Sequence, residues 1–171
     1  MKTLHKTLLA FIFLIMPFGV FSQNSNDTVK INFIKTQFAR INNNLKSFKK
    51  VTKEDILEST EGNEVTLYYD RDTIKKVSAE YMGEMGKDLE EYYFSNKKLI
   101  FYYAVKTRYK QPIYLSPGKV LIAAKDEKRY YFNDDTIFLI KLSPKQLVSQ
   151  SDYKKLSAET RKEAYRLMRL K

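Results

Sequence analysis

Three times along the chain an aromatic stretch runs into two polar residues and leaves again as an aliphatic stretch. This unit constrains the fold more than any other feature. Tyr92-Tyr93-Phe94-Ser95-Asn96-Lys97-Lys98-Leu99-Ile100 matches Tyr130-Tyr131-Phe132-Asn133-Asp134-Asp135-Thr136-Ile137-Phe138 in character at every position, and Tyr68-Tyr69-Asp70-Arg71-Asp72-Thr73-Ile74 is a shorter copy. Aromatic and β-branched residues suit a pleated, half-buried strand. A two-residue polar link is the shortest connection that reverses one. Each unit therefore reads as a β-hairpin, and the three in succession as an antiparallel meander. Their unequal spacing excludes a regular solenoid.

Six strands are expected, at residues 64–70, 73–81, 89–95, 99–108, 128–133 and 136–142. Val65, Leu67 and Tyr69 share one face of the first, and Val77, Ala79 and Tyr81 one face of the second. Residues 99–108 are apolar on both faces: Leu99, Phe101, Tyr103 and Val105 on one, Ile100, Tyr102 and Ala104 on the other. Such a strand belongs at the centre of a sheet covered on both sides. Gly83-Glu84-Met85-Gly86 reads as a flexible loop. Within residues 111–125, Ser116-Pro117-Gly118 marks a turn between two short strands at 113–115 and 120–123. The aromatic-strand-and-turn unit resembles MORN-type repeats. Those repeats depend on glycines that this chain lacks, so the resemblance implies no function.

Outside the sheet the period changes. Ile31, Ile34, Phe38, Ile41, Leu45 and Phe48 recur at steps of 3, 4, 3, 4 and 3. That is one apolar stripe of a helix capped at Asp27 or Thr28. Residues 49–63 are charged and without period. Ser157 is expected to cap a last helix through residue 170, with Ala164, Leu167 and Met168 on its apolar side.

The first residues carry a different signal. Lys2, His5 and Lys6 precede an uncharged apolar run at residues 8–16, followed by Pro17, Gly19 and Val20-Phe21-Ser22. Charge, apolar core and small-residue exit are the order of a secretory signal peptide. Cleavage is expected between Ser22 and Gln23, leaving residues 23–171 as a single exported domain in the periplasm or outside the cell. The run is too short to span a bilayer, so no membrane span is expected after cleavage. With no cysteine in the chain, lipid anchoring at the cleavage point is excluded too.

Composition then excludes chemistry. The only histidine is His5, so residues 23–171 contain no His, no Cys and no Trp. A Ser-His-Asp triad, a Cys-His dyad and a thiolate or imidazole zinc site are impossible there. No calcium-loop pattern is present, and no metal or other cofactor is expected. The net charge of +11 becomes +9 without Lys2 and Lys6. In residues 145–171, Lys145, Lys154, Lys155, Arg161, Lys162, Arg166, Arg169 and Lys171 outnumber Asp152, Glu159 and Glu163. That basic end suits a solvated helix or an acidic partner. Nucleic acid is not an expected partner, because the aromatic motifs lack the glycine and basic pattern of an RNA-binding sheet.

Two groups of residues remain as candidates. Glu84, Asp88, Glu90 and Glu91 cluster around the glycine loop, and a glycosidase needs two carboxylates facing one another. Successive carboxylates in a strand otherwise mark a solvated face. All 13 tyrosines lie beyond the leader, 11 of them between Tyr68 and Tyr131. Tyrosine supplies rigid amphipathic contact area. Tyr68, Tyr92 and Tyr102 are the expected binding surface if a sheet face stays uncovered.

The expected fold is α+β: an N-terminal amphipathic helix on an antiparallel meander of about six strands (three hairpins), closed by a C-terminal helical segment. This plan resembles periplasmic inhibitor and outer-membrane assembly domains in architecture alone. The expected function is a non-enzymatic envelope module that binds a protein, glycan or lipid through an aromatic-rich sheet. The alternatives are a carboxylate-dependent glycoside hydrolase and a lipid or lipopolysaccharide carrier. The catalytic, cofactor-binding and metal residue sets are expected to be empty, and the oligomeric state is left open.

Overall fold

The computed structural model describes residues 25–55, 62–116 and 118–170. The expected leader and the Ser22/Gln23 junction lie outside them. Among the described residues the chain forms two helices and one seven-stranded antiparallel sheet. The helices are α1 (Ser25–Asn43) and α2 (Gln150–Met168). The strands are β1 (Lys49–Lys53), β2 (Asn63–Asp70), β3 (Thr73–Gly83), β4 (Gly86–Ser95), β5 (Lys98–Tyr109), β6 (Ile122–Asn133) and β7 (Thr136–Ser143). They lie side by side in chain order, so the sheet is a pure meander. No helix among the described residues is long and apolar enough to cross a membrane.

The three repeated units are the hairpins β2–β3, β4–β5 and β6–β7. Asn96 (φ 49°) and Lys97 (φ 64°) sit left-handed in the second turn, as Asp134 (φ 46°) and Asp135 (φ 64°) do in the third. Two left-handed residues in sequence are the mark of the tight turn that matches strand twist. The likeness goes further than sequence pattern predicts. Each hairpin carries a bulge at the same place, three residues past the turn. Lys75, Ile100 and Phe138 are the extra residues, skipped between Tyr68/Tyr69, Tyr93/Phe94 and Tyr131/Phe132 in the partner strand.

The bulge corrects the expected facing of β5. Strict alternation puts Leu99 with Phe101, but the inserted residue resets the period. Leu99 joins Tyr102 and Ala104 on one face, and Ile100 joins Phe101 on the other. The sheet therefore has two cores. On one, Leu67, Val77, Tyr92, Phe94, Leu99, Tyr102, Tyr130 and Phe132 pack beneath Ala164 and Leu167 of α2. On the other, Tyr93, Phe101 and Tyr131 pack beneath Ile31, Ile34 and Ile41 of α1.

Both helices cross the strands. In α1, Lys30 lies over the Phe138 ring of β7, Phe38 against Tyr93 and Phe101, and Asn42 beside Lys76 of β3. In α2, the Ser157 hydroxyl accepts from the Ile137 amide of β7 at 2.9 Å, and Tyr165 donates to the Lys97 carbonyl at 3.3 Å. At the far end, Arg166 binds Asp55 just past β1, and Lys53 donates to the Leu170 carbonyl. The geometry fits: seven strands make a sheet about 29 Å wide, and 19 residues make a helix about 28 Å long.

Several local expectations change. β1 is a seventh strand where charge hid the pattern; Lys49, Lys50 and Lys53 suit an edge that must not recruit another chain. The helix stripe is cut at Asn43, where Asn42 and Asn44 turn their amides back onto the Phe38 and Arg40 carbonyls and so compete with the helix. Leu45 and Phe48 still pack on the same core from the turn that follows. Asp27 and Thr28 lie inside the first turn of α1 rather than at its cap. Ser149 caps α2, and Ser157 is buried in mid-helix. Gly83-Glu84-Met85-Gly86 is a two-residue hairpin turn, with Gly83 paired to Gly86. Residues 113–115 form a single 3-10 turn instead of a strand.

Lys97 has a side chain where the turn wants none. Replacing it by glycine removes the left-handed penalty of about 1–2 kcal/mol, partly offset by the flexibility of glycine in the unfolded chain. Lys97→Gly is expected to raise stability by about 0.5–1 kcal/mol, read as a higher urea midpoint at unchanged slope.

Candidate functional site

The carboxylates that cluster in sequence do not converge. Glu90 and Glu91 are consecutive on β4, so the pleat sends them to opposite faces. Glu91 pairs with Lys76 at 2.6 Å and accepts from the Tyr93 hydroxyl at 2.7 Å, on the α1 face. Glu90 accepts from the Tyr102 hydroxyl at 3.1 Å and from Tyr92, on the α2 face. Glu84 is exposed in the β3–β4 turn, and Asp88 pairs with Lys106 at 3.0 Å. Only Asp88 and Glu90 share a face. They line a cleft of about 270 Å³ with Lys106, Asp126 and Lys128. Among the described residues no group of three or more acidic side chains is placed to hold a metal ion.

The tyrosines are corrected in the same way. Tyr92 is 1% exposed and Tyr102 is 7% exposed, because α2 covers the face expected to be open. Their rings form a ladder with Tyr130, at centroid separations of 5.0 and 5.2 Å. A second ladder, Tyr93–Phe101–Tyr131 at 5.8 and 5.0 Å, lies beneath α1. Tyr68 is half-buried, its ring flanked by the Lys50 and Lys76 ammonium groups. Burial, and then the Glu90 carboxylate, push the Tyr92 and Tyr102 phenols far above their ordinary range; burial and then Glu91 do so for Tyr93.

Lys76 stands out within the repeat. It occupies the hairpin position filled by Phe101 and Leu139 in the other two units, and it is only 5% exposed. Its charge is met by Glu91, by the Asn42 amide oxygen at 3.2 Å and by the faces of the Tyr68 and Tyr93 rings. The cluster ties the end of α1 to the sheet. A matching tie holds α2, where Arg166 bridges Glu163 and the fully buried Asp55. Arg161 also pairs, with Asp135 at 3.8 Å. The basic C-terminal segment thus spends part of its charge inside the fold.

Away from the helices the sheet changes character twice. Strands β5 and β6 have 12 residues each and are about 40 Å long, whereas one helix is only about 10 Å thick. Past the aromatic half comes a zone of cross-strand ion pairs: Lys87–Glu80, Lys106–Asp88 and Arg108–Asp126. Beyond it apolar residues return, and they are exposed. Met82 and Met85 on the β3–β4 turn are 45% and 51% exposed. On the β5–β6 connection, Ile113, Tyr114, Leu115, Leu121 and Ile122 are 47–66% exposed. The two loops are joined, Tyr109 donating to the Met85 carbonyl at 2.7 Å and Ile113 to the Glu84 carbonyl at 2.9 Å, and Lys110 closes the second loop on the Leu121 carbonyl at 2.8 Å. Gly86 permits this closeness, since a Cβ there would stand 2.2 Å from the Thr107 carbonyl oxygen.

This tip is an exposed apolar surface that sequence reading missed. Its signal was charge bookkeeping over a window: from 106 to 125 there are five basic residues (Lys106, Arg108, Lys110, Lys119 and Lys125) and no acidic one. The sequence matches no protein-family model, and comparison with curated proteins and with solved structures returns no match.

Two outcomes follow from the buried polar groups. Lys76→Leu leaves the partly buried Glu91 without its cation and is expected to cost about 3 kcal/mol. Adding Glu91→Gln to it should recover most of that loss in urea denaturation. The Tyr92, Tyr93 and Tyr102 phenols have pKa values raised above their unfolded value. Their contribution is therefore fully present below about pH 10 and is lost as pH rises beyond it. Denaturation midpoints taken from neutral pH to about pH 11 should fall only in the alkaline part, and less steeply for Tyr102→Phe.

Proposed function

We propose that this protein is a non-enzymatic binding module of the cell envelope, exported by the leader-like residues 1–22, and that it binds through the apolar tip. One observation carries the reading: Ile113, Tyr114, Leu115, Leu121 and Ile122 stand 47–66% exposed on a connection fastened by backbone hydrogen bonds. Scattered exposed apolar residues are ordinary, but a contiguous group marks an interaction surface. A fastened loop also binds at lower entropic cost than a mobile one. The aromatic-rich sheet supports the tip and is not itself the contact face. The two ladders lie under the helices, and the bare part of the sheet is charged.

A carboxylate-dependent hydrolase is the second reading, favoured by the shared cleft of Asp88 and Glu90. It is weaker because Lys106 neutralises Asp88 and two phenols hold Glu90. The test compares substitutions at the two places. Ile113→Ser with Leu115→Ser should leave the melting temperature unchanged and abolish retention of the tagged protein on its own envelope fraction at physiological salt. Glu90→Gln should leave retention intact. Retention that survives the tip substitutions would remove the tip from the function.

A further inference from the structure

We infer that the partner of the tip is an anionic lipid surface, into which Ile113, Tyr114, Leu115, Leu121 and Ile122 insert while lysines around them engage lipid phosphates. This inference rests on the tip being the binding surface.

Charge decides between a lipid and a protein partner. Of the five basic residues in the window, Lys106 and Arg108 are held by Asp88 and Asp126. Lys110, Lys119 and Lys125 form no ion pair among the described residues, and Lys110 and Lys119 belong to the connection that carries the apolar group. Glu84 is the one acid at the tip itself. The buried centres of protein interfaces are depleted of lysine and rich in aromatic residues and arginine. The tip joins aliphatic side chains, Met82, Met85 and one exposed tyrosine to lysines, and its cations without an ion pair among the described residues are all lysine. Lysine suits a membrane interface because its long stem lies along apolar surface while the ammonium reaches the headgroups. Tyrosine suits the same depth, with an apolar ring and a polar end.

Geometry agrees with shallow insertion. The apolar residues sit at the end of the sheet opposite to the β4–β5 and β6–β7 turns, beside which both helices pack, so the rest of the domain stays in water when the tip enters the headgroup layer. The zone of paired charges behind them limits how deep the sheet can go. The Gln111 amide donates to the Leu115 carbonyl at 2.7 Å and closes the 3-10 turn that presents Tyr114, which is 66% exposed. The contact therefore needs no new folding, unlike an amphipathic helix that orders on a membrane.

The experiment is co-sedimentation of residues 23–171 with vesicles of phosphatidylcholine alone and of phosphatidylcholine mixed with phosphatidylglycerol. Binding is expected only to the mixed vesicles, and high salt should weaken it because screening shortens the reach of the lysines. Lys110→Gln, Lys119→Gln and Lys125→Gln together should weaken it by at least about tenfold. Ile113→Ser with Leu115→Ser should do the same at unchanged circular dichroism. Equal binding to both vesicle types would overturn the anionic-lipid assignment. So would no vesicle binding accompanied by envelope retention that still depends on Ile113 and Leu115, which would leave the binding module standing with a protein partner. If vesicle binding and envelope retention both ignore the tip substitutions, the lipid assignment and the binding reading fall together.

Discussion

Consecutive aromatic residues in a strand point to opposite faces, and most of this structure follows from that. Tyr92-Tyr93 and Tyr130-Tyr131, with Phe101-Tyr102 between them, build one aromatic ladder above the sheet and one below. Neither ladder can stay in water, so each needs a cover. The chain has one helix before the meander and one after it. In a meander that runs from one edge to the other, those helices arrive on opposite faces and cross the strands to span the width of the sheet. Each end is then tied by an ion pair with one buried member: Lys76 beneath α1 and Asp55, held by Arg166, beneath α2. A buried pair of this kind is weak support for stability but strong support for register, since only one docking position satisfies both charges.

Crossing helices leave a consequence. They cover the turn-proximal part of β5 and β6 and leave the far ends of those strands bare. The next part is charged on both faces, which is the composition that a bare sheet requires. The end of the sheet breaks that trend, because apolar side chains reappear where no element covers them and backbone bonds hold them in place. A solvated end had no need of Ile113, Leu115, Leu121 and Ile122, so their presence points to a contact outside the molecule.

The hairpins were legible because a turn and its flanking strands are neighbours in sequence. The repeated aromatic stretch and polar pair located all three. The bulge three residues past each turn was not legible, since Ile100 differs in no visible way from its neighbours. Its effect was to divide Leu99 from Phe101 and give each core one of them. β1 was missed for a related reason: an edge strand with lysines at Lys49, Lys50 and Lys53 has no apolar period to read. The candidate carboxylates and tyrosines failed on coverage. Whether Tyr92 and Tyr102 face solvent depends on where α2 lands, and α2 begins more than 45 residues after Tyr102 in the chain.

By itself the sequence determined the α+β class, the meander and the apolar stripe of α1, together with the absence of His, Cys and Trp chemistry beyond His5. These are properties of composition and short-range period, which a chain carries whether folded or not. It also carried the basic window from 106 to 125. Only the tertiary structure decided which tyrosines are core, that Glu90 and Glu91 serve opposite faces, that Asp55 meets Arg166 across 111 positions, and that Met85 and Tyr114 belong to one surface. Those outcomes depend on bulges that reset alternation and on helices that dock from a distance, and neither leaves a local trace.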